Sequence, residues 1–94
     1  MSKYEIMTIY NINLGEAKAK ELSKEIHGYI TSQKGTIESE NFWGKRKFAY
    51  EIKHDTEGYY DVVNFSMDTS EIDALKTKLN LVEGLVRYLI TAQD

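Results

Sequence analysis

Residues 36–67 read TIESENFWGKRKFAYEIKHDTEGYYDVVNFSM, and the pairing they imply decides the fold. Thr36–Lys53 is dense in apolar, aromatic and β-branched residues and predicts one long strand, bent or bulged around Gly44. His54-Asp55-Thr56-Glu57-Gly58 has the composition of a turn, and Tyr59–Met67 has the composition of a returning strand. The stretch therefore predicts an antiparallel hairpin closed by a loop of about five residues.

Working outward towards the N-terminus, Lys3–Tyr10 predicts a first strand. Asn13 offers a side-chain cap with Glu16 three residues on, a variant of the capping box, and a helix is expected to run to about Lys34. Leu22, Ile26, Tyr29 and Ile30 fall on one face of it, Glu21, Lys24 and Glu25 on the other, and Gly35 closes it. Towards the C-terminus, Asp68 or Ser70 caps a second helix whose Ile72, Leu75 and Leu79 share a face. Glu83-Gly84 breaks the chain and Leu85–Thr91 is the last strand. The order β-α-β-β-α-β is that of an α+β, ferredoxin-like split βαβ sandwich. Its antiparallel sheet has strand order 4-1-3-2 with both helices on one face, so the long second strand is an exposed edge.

A chain of 94 residues is expected to form a single domain, 1–94. It has no cysteine, which excludes disulfides and thiolate metal sites, and its apolar runs are too short to span a membrane. Met1–Tyr10 lacks the pattern of a signal peptide, so a cytoplasmic setting is expected. The net charge of −3 leans against a simple nucleic-acid coat. That figure conceals a contrast. Between Gly44 and Lys53 the cations Lys45, Arg46, Lys47 and Lys53 face one acid, Glu51, a local charge of +3 that leaves −6 on the remainder. A basic patch on an acidic body meets phosphate through few contacts, each worth a slope of about −0.9 in the log–log salt dependence. Such a surface calls for a partner.

Catalytic readings find little support. His27 lies near the apolar face of the first helix and His54 in a turn, with no cysteine to join them. Ser39 and Glu40 near Glu38 offer no nucleophile and base, and the six glycines form no phosphate loop. Glu38 and Glu40, two apart on one strand, are expected on one face, where a solvated or partner-facing role outweighs a metal. No enzyme activity, metal, cofactor or small-molecule substrate is expected. The strand order also suggests an RNA-recognition motif, but Gly58-Tyr59-Tyr60-Asp61 puts Asp61 where a second stacking ring belongs, and a carboxylate neither stacks nor tolerates phosphate. Tyr4, Tyr29, Tyr50 and Tyr88 read as core or sheet-face residues. Trp43, beside Gly44 on a predicted edge, is either core or an interface anchor.

Gly44-Lys45-Arg46-Lys47-Phe48-Ala49-Tyr50-Glu51-Ile52-Lys53 resembles the signature of the bacterial small-subunit ribosomal protein S-six family: a glycine, a basic cluster, an apolar residue, Ala-Tyr, one free position, then isoleucine and a basic residue. Tyr4-Glu5, Gly35, Gly58-Tyr59 and Val86-Arg87 extend the likeness along the whole chain. Phe48 stands where leucine is usual, and Asp94 ends the sequence where many relatives carry a charged tail. The resemblance implies the ferredoxin-like fold and a structural role in the small ribosomal subunit. It further implies binding to the central domain of small-subunit rRNA, as a heterodimer with ribosomal protein S-eighteen. Carried over by position, Lys45, Arg46, Lys47, Lys53 and Arg87 are the expected rRNA-binding residues, and Phe42, Trp43, Phe48 and Tyr50 the expected partner interface. Two other readings compete: a homodimer binding a metabolite on the sheet face, and a peptide binder using the open edge for β-augmentation.

Overall fold

In a computed structural model, residues 1–52 and 55–93 are described, with the side chains of residues 48–52, 55 and 56 left out of the description. The elements follow as β1 (Ser2–Asn11), α1 (Glu16–Ser32), β2 (Thr36–Ile52), β3 (Asp55–Met67), α2 (Ile72–Leu79) and β4 (Leu85–Ala92), with single 3-10 turns at Ile12–Leu14 and Thr69–Glu71. The strands form one antiparallel sheet in the order β2-β3-β1-β4, the expected 4-1-3-2 topology. β2 and β4 are its edges.

Strand alternation divides the sheet into two faces. Tyr4, Ile6, Thr8 and Tyr10 of β1 and Tyr59, Asp61, Val63, Phe65 and Met67 of β3 are buried on the helix side. They meet Ala19, Leu22, Ile26 and Ile30 of α1 and Ile72, Leu75 and Leu79 of α2 in one core. Each large side chain removed from water there contributes roughly 1.5–3 kcal/mol. Tyr4 and Phe65 stack across β1 and β3, with centroids 5.6 Å apart.

Four local expectations are corrected. Asn13 does not cap α1: the Asn11 side chain accepts from the Asn13 amide and closes the 3-10 turn, and α1 starts after Gly15 with no side-chain cap. At its other end the left-handed residue is Lys34 (φ 64°), not Gly35. The Gly35 amide donates to the Ile30 carbonyl (2.9 Å) and the Lys34 amide to that of Thr31 (3.1 Å), a Schellman closure. Gly35 is needed for a different reason, because a Cβ there would lie 2.8 Å from the Ile30 carbonyl oxygen. The hairpin strands extend further than the turn composition suggested, since β3 already begins at Asp55. Lastly, β2 has the bulge expected around Gly44, at Phe42/Gly44, but also slips register at Ile37/Ser39 and nearer the hairpin end, where no slip is expected. Gly44, at φ 82°, adopts the left-handed conformation that the second bulge requires.

Candidate protein and RNA interface

The register reads across the open face of the sheet in rows. One row runs Gly44, Tyr60, Ile9, Arg87 and the next Asn41, Val62, Met7, Leu89. Ser39, Asn64, Glu5 and Thr91 form a polar row beyond them. The second bulge adds Trp43, which has no partner in the ladder register and lies over Tyr60, with centroids 6.2 Å apart and the rings inclined by only 6°. Trp43 is 42% exposed and Leu89 56% exposed. Both described helices pack on the opposite face, so Trp43, Tyr60, Val62, Met7 and Leu89 make an apolar band reaching from edge to edge. Contiguous apolar surface rimmed by polar groups marks an interaction site more often than scattered apolar residues do.

Lys45, Arg46 and Lys47 follow directly on β2 and are all exposed. Lys45 and Lys47 alternate with Arg46, so the run presents charge to both sides of the edge rather than to one. Lys45 Nζ lies 3.8 Å from Glu57 Oε2 on β3, an exposed pair that holds one cation loosely in place. Arg87 is exposed on β4 at the far edge. Three strand spacings put its backbone about 14 Å from that of Gly44, so it stands apart from the basic run.

The sequence-predicted residues thus separate. Trp43 and the basic run share one edge. Phe42 does not join them: it is half-buried against the core on the helix side, with Lys20 Nζ 5.5 Å from its ring centroid. Lys53 lies outside the described residues, and the side chains of Phe48 and Tyr50 lie outside the description. Tyr59 and Asp61, compared above with stacking positions, both turn towards the helices, while Tyr60 occupies the open face.

Sequence reasoning missed a second cluster, on the helix side. Asp61 is 2% exposed and accepts from Ser23 Oγ at 2.5 Å. His27 Nε2 lies 3.1 Å from Asp61 Oδ2 and 3.2 Å from Ser23 Oγ, while His27 Nδ1 lies 3.2 Å from Glu40 Oε1. Glu38 and Glu40 therefore do not share a face as expected. Glu38 accepts from Ser66 Oγ on the other side of the sheet, because the first bulge makes Glu38 the extra residue between Ile37 and Ser39 and shifts the alternation that follows. Tyr10, buried nearby, has its phenol pushed well above the ordinary value by desolvation, with the Asp61 charge adding to it and the Thr8 hydrogen bond opposing. Among the described residues no group of three or more histidines, cysteines or acids is arranged to hold a metal ion.

Comparison with known proteins supplies the context for this geometry. The family described as Ribosomal protein S6 matches residues 3–92. Small ribosomal subunit protein bS6 of Symbiobacterium thermophilum is 43% identical over 90 residues, spanning 96% of this chain and 95% of that protein. The protein of the same name from Fusobacterium nucleatum is 36% identical over 94 residues, all of both chains. The crystal structure of 30S ribosomal protein S6 from Thermotoga maritima superposes with a TM-score of 0.93 at 30% identity, covering 98% of this chain and 87% of that one. Fold, full-length identity and the βαββαβ register converge, and the chain belongs to the ribosomal protein S6 family.

Proposed function

We propose that the chain is a structural component of the small ribosomal subunit, working in the cytoplasm without enzymatic activity. In this reading it binds the central domain of small-subunit rRNA as one half of a heterodimer with ribosomal protein S-eighteen. The observation that carries the reading is the juxtaposition of exposed Trp43, stacked on half-buried Tyr60 of β3, with the exposed cations Lys45, Arg46 and Lys47 that follow it on β2. An apolar band without a cover suits a protein partner, and cations beside it suit phosphate. Trp43 is the anchor of the protein contact, and the half-buried Phe42 supports the strand from beneath. Phe48 and Tyr50 remain candidates on the same strand, as Lys53 and Arg87 do for RNA.

The division of labour explains the charge. A protein of net charge −3 has little affinity for RNA at large, so a few contacts need a second basic protein to become a stable complex. Phosphate contacts set position and RNA shape sets specificity. Filter binding of a central-domain rRNA fragment tests this, with the protein alone and with S-eighteen added. Weak binding alone and tight, salt-sensitive binding together are expected, and equal affinities would reject the two-surface reading. Trp43→Ala is expected to weaken the protein–protein step at least tenfold, on the scale of a buried aromatic hot spot. Its effect on RNA binding should appear only when S-eighteen is present.

A further inference from the structure

The cluster beneath β2 has no counterpart in the binding surface just described. Glu40 belongs to β2, Asp61 to β3, and Ser23 and His27 to α1, so one imidazole ties a helix to two strands. The four residues line a crevice of about 250 Å³ together with Lys20, Lys24 and Phe42. His27 and Asp61 side chains are 12% and 2% exposed, whereas Glu40 is 57% exposed.

The proton inventory is restrictive. The only hydroxyl proton of Ser23 is directed to Asp61 Oδ2, so the serine oxygen can accept from His27 but cannot donate to it. His27 Nε2 faces that oxygen and a carboxylate oxygen, both acceptors, and Nδ1 faces a second carboxylate. A neutral imidazole has a single N–H and satisfies one side only; both sides are satisfied by the imidazolium. The remaining Asp61 oxygen, Oδ1, has no partner among the described residues, so the buried carboxylate depends heavily on Ser23 and His27. The other titratable groups around the ring are Lys20 and Lys24 on α1 and, on β1, the Tyr10 phenol, which desolvation keeps neutral.

We infer that His27, as an imidazolium bridging Asp61 and Glu40, is a positioning clamp that fixes the β2 edge and makes its docking competence depend on protonation. The link to docking rests on the function proposed above. When the ring gives up one proton, the remaining N–H stays with buried Asp61, because leaving that carboxylate with serine alone is the costlier choice. The exposed Glu40 is then released. Glu40 sits between the two bulges of β2, three residues before Trp43, so its release loosens the segment that presents the Trp43–Tyr60 pair.

The test combines ring-nitrogen NMR, amide hydrogen exchange and partner affinity on the full chain. Both ring nitrogens of His27 should carry protons wherever β2 is fully protected. On raising the pH, protection factors of amides around Asn41–Gly44 should fall about tenfold, the scale of one charge-assisted hydrogen bond, while β1–β4 protection is unchanged. Glu40→Gln should show the loosened β2 at every pH with the core intact, and His27→Gln should loosen it further. Affinity for S-eighteen should weaken in step in the wild-type chain and be flat with pH in Glu40→Gln. A singly protonated ring in protein whose β2 is fully protected, or full β2 protection in Glu40→Gln, would overturn the clamp. Wild-type protein that binds no S-eighteen at any pH would instead reject docking at β2 and its coupling, with the exchange data still deciding the clamp.

Discussion

At the end of α1, the left-handed turn that a glycine after a helix suggests falls on Lys34 instead. Lys34 bears the positive φ and Gly35 the tight contact with Ile30. A left-handed conformation costs a residue with a Cβ about 1–2 kcal/mol relative to glycine, offset in part by the greater freedom that glycine has when unfolded. Lys34→Gly is therefore expected to stabilise the protein by up to about 1 kcal/mol. Gly35→Ala is expected to destabilise it, because the clash is with the backbone oxygen that closes the helix and with Ile30 Cγ2, neither the free end of a flexible chain. Urea denaturation of both variants checks the pair, and equal signs would reject the assignment of roles. The pattern explains why sequence alone misplaced them: a glycine after a helix announces the stop, but which of two adjacent residues turns left-handed is set by the Schellman hydrogen bonds and by Met67 packing over Gly35.

At the scale of elements, Asp68 between β3 and α2 gives a clean electrostatic case. Its Oδ1 accepts from the Ser70 amide at 3.1 Å and the Ser70 hydroxyl at 3.0 Å, closing the 3-10 turn that leads into α2. These bonds, the backbone one first, hold the carboxyl below its ordinary value. A carboxyl lowered on folding stabilises above its unfolded value, and that stabilisation is lost as pH falls through the lowered one. Asp68→Asn keeps an acceptor but cannot titrate. Its Tm is thus expected to fall less than the wild type's between about pH 5 and about pH 2, and parallel curves would show that the cap does not titrate. Asp68 was legible as a capping residue before a periodic apolar helix, but the turn it closes is the 3-10 turn, and α2 itself begins at Ile72 with no side-chain cap. The order of strands, the core faces of both helices and the bend at Gly44 were legible for the same reason: each follows from local composition or period. The bulge at Ile37/Ser39 was not, and the whole arrangement around it went with it. A one-residue slip reverses which face a side chain occupies, so Glu40 moved under the sheet to His27 while Glu38 stayed above. Asp61 was judged only as a failed stacking residue, because its real partners lie 34 and 38 positions away in the chain.

At the scale of the molecule, the question is how an acidic protein contributes to an RNA complex. The basic run and Arg87 stand at opposite edges of the sheet, about 14 Å apart by strand spacing, with the apolar band between them. A partner seated on that band would leave both edges at its margins, and RNA touching both would have to span the pair. Groups this far apart, with no shared side-chain partner, should act additively. In the heterodimer, replacing Lys45, Arg46 and Lys47 together by alanine is expected to reduce the magnitude of the log–log salt slope of rRNA binding by roughly 2 to 3. Lys45 brings the value towards the lower end, because Glu57 at 3.8 Å already neutralises part of its charge. Arg87→Ala should remove about one further unit at most, and the quadruple variant should show the sum. Titrations of a labelled rRNA fragment at several salt concentrations measure each slope. An unchanged slope in the triple variant would mean that the β2 cations guard the edge against self-association instead, as lysines on open strands do elsewhere. The same variant would then form larger species in sedimentation, a result that phosphate binding alone does not produce.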